Sequence, residues 1–401
     1  MPELKVDAIV NLAGSGKPNL PVAPTVGSNA AISTLNTHSY TSSGTEPSTP
    51  KNGALWWDSA NDKVMVYINS EFKEIELNSS SSSGPVWGGT RGFIVGGADP
   101  NDGQNTIDYF DLTTAGNTSD FGDLSIRAQR NCSGSNGTRS VNYLGEPYVS
   151  GGSLPGNSID YFACATTGNA TDFGDSINSA QQASAVSNGT RMCVSLLKGS
   201  APTSASASNF VQNNNEIEYL TIDTAGNTQD FGDLTVARSA GSATNDETRG
   251  VFVGGWVSPN PYNTMDYITI ATTGNATDFG DSQFSWGYLY GSIGQVGNNT
   301  IGCWAGGYQD SGYAKANVIS KITIQTTGNA TDFGDLLAGQ LYMSACSDGT
   351  TGTFAGGSGT ASHYNVIHKI TIGTPGNATD FGDISSSARR QNAAGVSGNA
   401  S

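Results

Sequence analysis

One ten-residue segment returns six times, and nothing else in the sequence limits its fold so tightly. It reads TAGNTSDFGD at 114–123, TTGNATDFGD at 166–175 and TAGNTQDFGD at 224–233. It returns as TTGNATDFGD at 272–281 and 326–335, then as TPGNATDFGD at 374–383. The glycines Gly116, Gly168, Gly226, Gly274, Gly328 and Gly376 are separated by 52, 58, 48, 54 and 48 residues. Periods of this size mark radial or stacked repeat architectures.

Each period holds the same parts. In the fourth, TRGVFVGG (248–255) is a short apolar run ending in a glycine pair. TMDYITI (264–270) alternates as a strand does, and the ATTGNAT turn and DFGD follow. Four short strands per period without helical periodicity predict an all-β fold, a six-bladed β-propeller. The first period starts at its second strand, Arg91–Gly97, and the last carries an extra strand, Gln391–Gly398. The C-terminal strand is therefore expected to complete the first blade and close the ring, leaving no open sheet edge.

The Gly-Gly pairs at 96–97, 151–152, 254–255, 306–307 and 356–357, with an aromatic opening the fourth strand, resemble kelch repeats over Thr90 to the C-terminus. Blade 3 departs, with Leu196-Leu197-Lys198-Gly199, and the aromatic is Phe where kelch repeats carry Trp. That resemblance implies the kelch-like propeller architecture and is silent on ligand. Phe121, Phe173, Phe231, Phe279, Phe333 and Phe381 are expected to pack between sheets as the structural repeat. Gly-Asn is expected to supply a residue with φ > 0. The DFGD aspartates are expected to accept backbone N–H bonds or to meet Arg91, Arg139, Arg191 and Arg249; Ile301 and Thr351 replace Arg in blades five and six.

Composition narrows the chemistry. Lys and Arg number 18 against 34 Asp and Glu, a formal charge of −16, which argues against binding a phosphate backbone. No apolar run approaches the roughly 20 residues a membrane helix needs. The N-terminus lacks a signal-peptide core, so synthesis in a cytosol is the expectation. Cys132, Cys164, Cys193, Cys303 and Cys346 have no CxxC spacing and read as small buried side chains. Three histidines, His38, His363 and His368, offer no HExxH pair; no metal and no cofactor are expected. DFGD lacks the ligand spacing of a calcium loop. Six Asp-Phe-Gly copies without an HRD loop exclude a kinase.

The up-and-down order of strands puts two kinds of loop on two faces. Strand 1–2 turns and the TTGNAT turns are nearly uniform. The strand 2–3 and 4–1 loops vary from ADPNDGQN to YQDSGYAKAN, with an insert at 199–215 in blade 3. Variable loops on a rigid ring are a common binding design. Trp256, Tyr262, Trp286, Tyr288, Tyr308, Tyr313 and Tyr364 are the candidate ligand-binding residues; Trp286 and the nearby Tyr290 read equally as inter-blade core.

The domain plan is an extended docking segment (1–49), a small β-meander (50–77), a Ser-rich linker (78–88) and the propeller (89–401). The meander, with Gly53, Leu55, Trp56, Trp57, Asp58, Val66, Tyr67, Ile68, Asn69 and Phe72, resembles a module near the start of phage tail-fibre proteins. KVDAIVNLAGSGKPNLP (5–21) is similar to the leading segment of tailed-phage appendages, and the blades resemble propellers of cyanophage virion proteins. These resemblances imply a virion appendage, assembled in the host cytoplasm. It would dock on other virion proteins through residues 1–50, oligomerise with itself, and present the propeller to a host-surface glycan or protein, without nucleic acid and without membrane insertion. The alternatives are a capsid or tail decoration without a receptor, and a glycan-active propeller enzyme. Enzymatic activity is not expected, since the Arg residues sit in repeated turns and no carboxylate pair stands apart from the repeat. A cellular kelch adaptor fits the N-terminus poorly.

Overall fold

The computed structural model describes residues 25–26, 30–31, 41–43, 45, 48, 54–58, 63–68, 71–74, 88–99, 102–149, 152–153, 156–198, 215–238, 241–257, 260–286, 292–294, 296–309, 314–359, 365–385 and 390–400. The chain falls into two compact units, Met1–Ser81 and Ser82–Ser401.

In the first unit, Leu55–Asp58, Lys63–Ile68 and Glu71–Glu74 form an antiparallel meander. Thr41–Ser43 adds a parallel strand to its edge. The expected meander is thus present, one strand wider than read. Segment 5–21 and linker 78–87 lie outside the described residues.

The second unit is a six-bladed β-propeller. Blade 4 shows the unit of construction: Ser242–Asn245, Arg249–Val257, Asn260–Thr269 and Thr277–Trp286, each antiparallel to the next. Blade 1 is closed from the other end of the chain. Ala394–Gly398 pairs antiparallel with Arg91–Val95, from Ala394 opposite Val95 to Gly398 opposite Arg91. Blades 2 and 3 share one strand, Thr171–Ser187: its first part is the outer strand of blade 2, and its second part pairs with Arg191–Lys198 as the inner strand of blade 3.

The core is six separate clusters, one between each pair of consecutive blades, and each contains one repeat phenylalanine. Phe121 lies with Phe93 and Phe162, Phe173 with Met192, and Phe231 with Phe252. Phe279 lies with Trp304, Phe333 with Phe354, and Phe381 with Phe110. All six are buried, each contributing about 1.5–3 kcal/mol. The five cysteines are buried free thiols, and burial pushes those of Cys164, Cys303 and Cys346 up to about 12.

The decapeptide is an inter-blade fastener. In blade 2 the turn donates Gly168 N–H to Phe121 O (2.9 Å) and Ala170 N–H to Asp123 O (2.7 Å), both in blade 1. Asp123 N–H answers by donating to Asn169 Oδ1 (3.1 Å). The same three bonds recur at every junction, including the closing one: Gly116 N–H to Phe381 O, Thr118 N–H to Asp383 O, and Asp383 N–H to Asn117 Oδ1. Asn is therefore required as an acceptor for its neighbour and does not take positive φ; of the Gly-Asn pair it is the glycine that does so, at Gly226, Gly274 and Gly328. The DFGD glycine is required by space. Gly232 has φ +144°, and a Cβ there would sit 2.5 Å from Gly274 O. Gly232→Ala is expected to destabilise by about 2 kcal/mol or more, read as a lower urea midpoint.

The expected Arg–Asp pairing is corrected. Arg91 Nη1 donates to Cys164 O (2.8 Å), Arg139 to Ile222 O, Arg191 to Ile270 O and Arg249 to Ile324 O. Each guanidinium also covers a tyrosine of its own blade: Tyr109, Tyr161, Tyr219 or Tyr267. The next blade's carbonyls point at the Arg, and the planar cation suits a ring face.

Candidate ligand-binding face

The two faces differ in how uniform their inter-blade contacts are. On the face of the uniform turns, inter-blade hydrogen bonds consume the repeat. The ends of the inner strands meet around the axis there. Ser397 Oγ donates to Ser347 O (2.6 Å), Ser347 Oγ to Gly297 O (3.1 Å) and Thr244 Oγ1 to Val296 O (3.1 Å). Asn245 Nδ2 donates to Ser187 O (2.6 Å), Ser187 Oγ to Ser135 O (3.4 Å) and Asn399 N–H to Gly137 O (2.6 Å). This circuit of small polar groups links the six inner strands around the axis.

On the opposite face the strand 2–3 loops and the 4–1 connectors meet. Gln129 pairs with Glu146, Ala180 with Lys198, Trp286 with Gln309, Leu341 with Ser358 and Gln391 with Ala98. The loops read as variable are thus joined into one surface by short backbone bridges. Their lengths differ from blade to blade.

Four of the predicted aromatics lie on strands of this surface. Trp256 is opposite Pro261 in the strand 2–3 hairpin of blade 4. Tyr262, half-buried, is opposite both Gly255 and Trp286. Trp286 is opposite Gln309 of blade 5, and Tyr308 is opposite Lys315. One sheet therefore runs across the blade 4–5 boundary and carries Trp256, Tyr262, Trp286 and Tyr308. It forms because the fourth strand of blade 4 continues past DFGD to Trp286, far enough to reach the Tyr308–Gln309 strand. Tyr288, Tyr290, Tyr313 and Tyr364 lie outside the described residues.

The buried acids form a set that sequence reading missed. One position of the third strand carries Asp108, Asp160, Glu218, Asp266, Ser320 and His368 in blades 1 to 6, all buried. Each binds the segment arriving from the preceding blade. Asp160 accepts from Ser125 N–H and Oγ (2.7 and 2.8 Å). Glu218 accepts from the N–H groups of Ile177 and Asn178 and from Asn178 Nδ2. Asp266 accepts from Thr235 N–H and pairs with Arg238 at 2.6 Å; Asp108 pairs with Arg390 at 2.8 Å. Ser320 Oγ donates to Gln283 Oε1 (2.8 Å). Burial pushes the carboxyls of Asp108, Asp160 and Glu218 above the usual carboxylate range, against the pull of Arg390 on the first and of hydrogen bonds on the other two. A polar residue directly after an Ile or Met, at the same distance before the repeat glycine in every third strand, was the available signal.

Among the described residues no group of three or more His, Cys, Asp or Glu could hold a metal ion. No protein-family model matches the chain, and no curated protein sequence matches it.

Proposed function

We propose that this chain is a phage virion appendage whose propeller recognises a host-surface glycan or outer-membrane component through the variable-loop face. The single observation that carries the reading is the asymmetry of the faces. One face repeats the same three inter-blade bonds at all six junctions; the other bridges loops that differ from blade to blade and brings Trp and Tyr positions onto one sheet at the blade 4–5 boundary. Aromatic residues with neighbouring amides suit sugar rings, which offer C–H faces and hydroxyls. The resemblance of the meander and the leading segment to tail-fibre proteins supplies the virion context: residues 1–50 dock on the particle, and several copies turn weak contacts into avidity. The role is binding rather than catalysis. The buried third-strand carboxylates are occupied as inter-blade acceptors.

The test is adsorption. Labelled full-length chain is expected to bind host cells and to compete with phage particles for them. Tyr262→Ala and Trp286→Ala should each weaken that binding at least about tenfold while the thermal midpoint stays close to that of the parent. A chain that neither binds nor competes overturns the reading. New reducing ends released from host polysaccharide would replace it with an enzymatic one.

A further inference from the structure

Blade 6 departs from the buried-acid pattern at one place. His368 occupies the position held by a carboxylate in blades 1 to 4 and by Ser320 in blade 5, and it is buried. Its Nδ1 accepts from Leu337 N–H (3.3 Å), and its Nε2 lies 2.8 Å from Gln340 Oε1. A backbone N–H can only donate, so Nδ1 is the bare nitrogen and Nε2 carries the proton. Gln340 must then present its oxygen. The ring is neutral by geometry, locked between one donor and one acceptor.

Gln340 belongs to the connector from blade 5 to blade 6. Its backbone is held by blade 5, where Gly307 N–H donates to Gln340 O (2.9 Å) and Gln340 N–H donates to Ala316 O (3.1 Å). The next residue, Leu341, exchanges both backbone bonds with Ser358 in the variable-face loop of blade 6 (3.1 and 2.8 Å). The connector thus joins a buried imidazole to the variable face.

We propose that His368 and the backbone N–H of Leu337 form an acid-sensitive latch: a proton taken from solvent by Nδ1 sets N–H against the N–H of Leu337, that contact opens while Nε2–H still donates to Gln340 Oε1, and the connector at 336–341 releases the blade 6 loop at Ser358. Two donors facing one another have no acceptor to share; His368 is buried and fixed by Gln340, whereas Leu337 is exposed, so the Leu337 side of the contact is the one that moves away toward water.

The surrounding charges do not favour the cation enough to hold it in place. Asp380 is opposite His368 on the fourth strand, where it is exposed, and Asp383 ends that strand. Lys369 follows on His368's own strand. The connector (Leu336, Leu337, Ala338, Gly339, Gln340, Leu341) and the second strand Thr351–Ala355 hold no titratable group. Lys315 of blade 5 is turned to Ser358 Oγ (3.4 Å) and Gly359 O, and Arg390 is bonded to blade 1. Burial lowers the His368 pKa to about 4, against the attraction of Asp380. The unfolded chain, with an ordinary His near 6.5, binds more protons between those values. Stability from this site is therefore complete above about pH 6.5 and falls as pH falls toward 4. Asp108, Asp160 and Glu218, shifted upward, act with the opposite sign, so only a comparison with a His368 variant isolates the latch.

The latch is independent of what the face binds. Full-length protein is titrated by proton NMR of its three imidazoles, with His368→Gln assigning the buried one. The His368 signal is expected to stay neutral to well below pH 6. Its protonation should coincide with at least a tenfold loss of amide protection at 336–341 and 356–359, and the variant should lack that step. The thermal midpoint should fall further on acidification in the parent than in His368→Gln. Parallel midpoint curves, or a His368 that titrates without loss of protection at 336–341, overturn the proposal. If His368→Gln fails to fold, His38→Gln and His363→Gln assign the signals by elimination, and the parent titration decides alone.

Discussion

A chain that stops at Asn392 is expected to lose cooperative unfolding of the propeller. The missing strand, Ala394–Gly398, is the inner strand of blade 1, and its whole length pairs with Arg91–Val95. Its removal strips that pairing from the blade and takes Ala394 and Val396 from the cluster around Phe93 and Phe121. It also breaks the axial circuit at Ser397 and Asn399. Each net hydrogen bond is worth about 1 kcal/mol and each buried aliphatic about 1.5–3 kcal/mol, so the loss is on the order of 5–10 kcal/mol, as large as the stability of an ordinary domain. Arg91–Val95 would become a bare apolar edge beside an open core, a template for pairing with another chain. The truncated protein should bind a hydrophobic dye and elute as aggregates. A peptide spanning 390–401, added during refolding, should restore the monomeric far-UV spectrum. A soluble truncated monomer with the parent's midpoint would mean that closure by this strand is not what holds the ring.

That the ring closes this way was legible from the ends of the repeat: one period lacked a strand and the chain offered one strand too many. The six phenylalanines were legible for a related reason, since a large apolar residue at one phase of every period has only the inter-blade space to enter. What could not be read was the partner of each polar group. Asn169 looks like a residue for a left-handed turn; it is an acceptor for Asp123 N–H, 46 residues earlier. The turn arginines looked like partners for DFGD; they reach carbonyls of the next blade, whose direction depends on backbone geometry that no spacing reveals. The third-strand acids were hidden by a habit of reading alternation. In a half-solvated sheet a polar residue between apolar ones faces water. A propeller strand is buried on both faces, so the same pattern marks a buried acid. For the candidate face, loop variability was legible, but the sheet crossing from blade 4 to blade 5 depends on five residues beyond DFGD pairing with a hairpin from the next blade.

The sharpest consequence of the buried-acid series lies in blade 4. Arg238 and Asp266 are both wholly shielded from solvent and paired at 2.6 Å. Arg238 Nε also donates to Gly254 O (2.6 Å), and Asp266 holds Thr235 N–H (3.1 Å). Asp266→Ala leaves a guanidinium that cannot shed its proton and has no counter-charge, so a loss of about 3–5 kcal/mol is expected. Arg238→Met with Asp266→Leu removes both charges and fills their volume, and should recover much of that loss even though it deletes more polar contacts. Blade 2 is the internal control. There Ala128 stands where blade 4 has Arg238, and among the described residues Ser125 is the side chain that holds the Asp160 carboxylate, with burial raising its pKa. Because its folded form holds a proton more readily than the unfolded chain, its contribution to stability declines as pH rises from its unfolded value through the raised one. Asp160→Asn should therefore cost only about 1 kcal/mol at neutral pH and should flatten that decline. Urea midpoints of the four proteins at pH 7 separate the cases. If Asp266→Ala and Asp160→Asn lose the same stability, charge pairing is not what distinguishes the two junctions, and hydrogen bonding to the incoming segment alone accounts for the conserved polarity of the site within this chain.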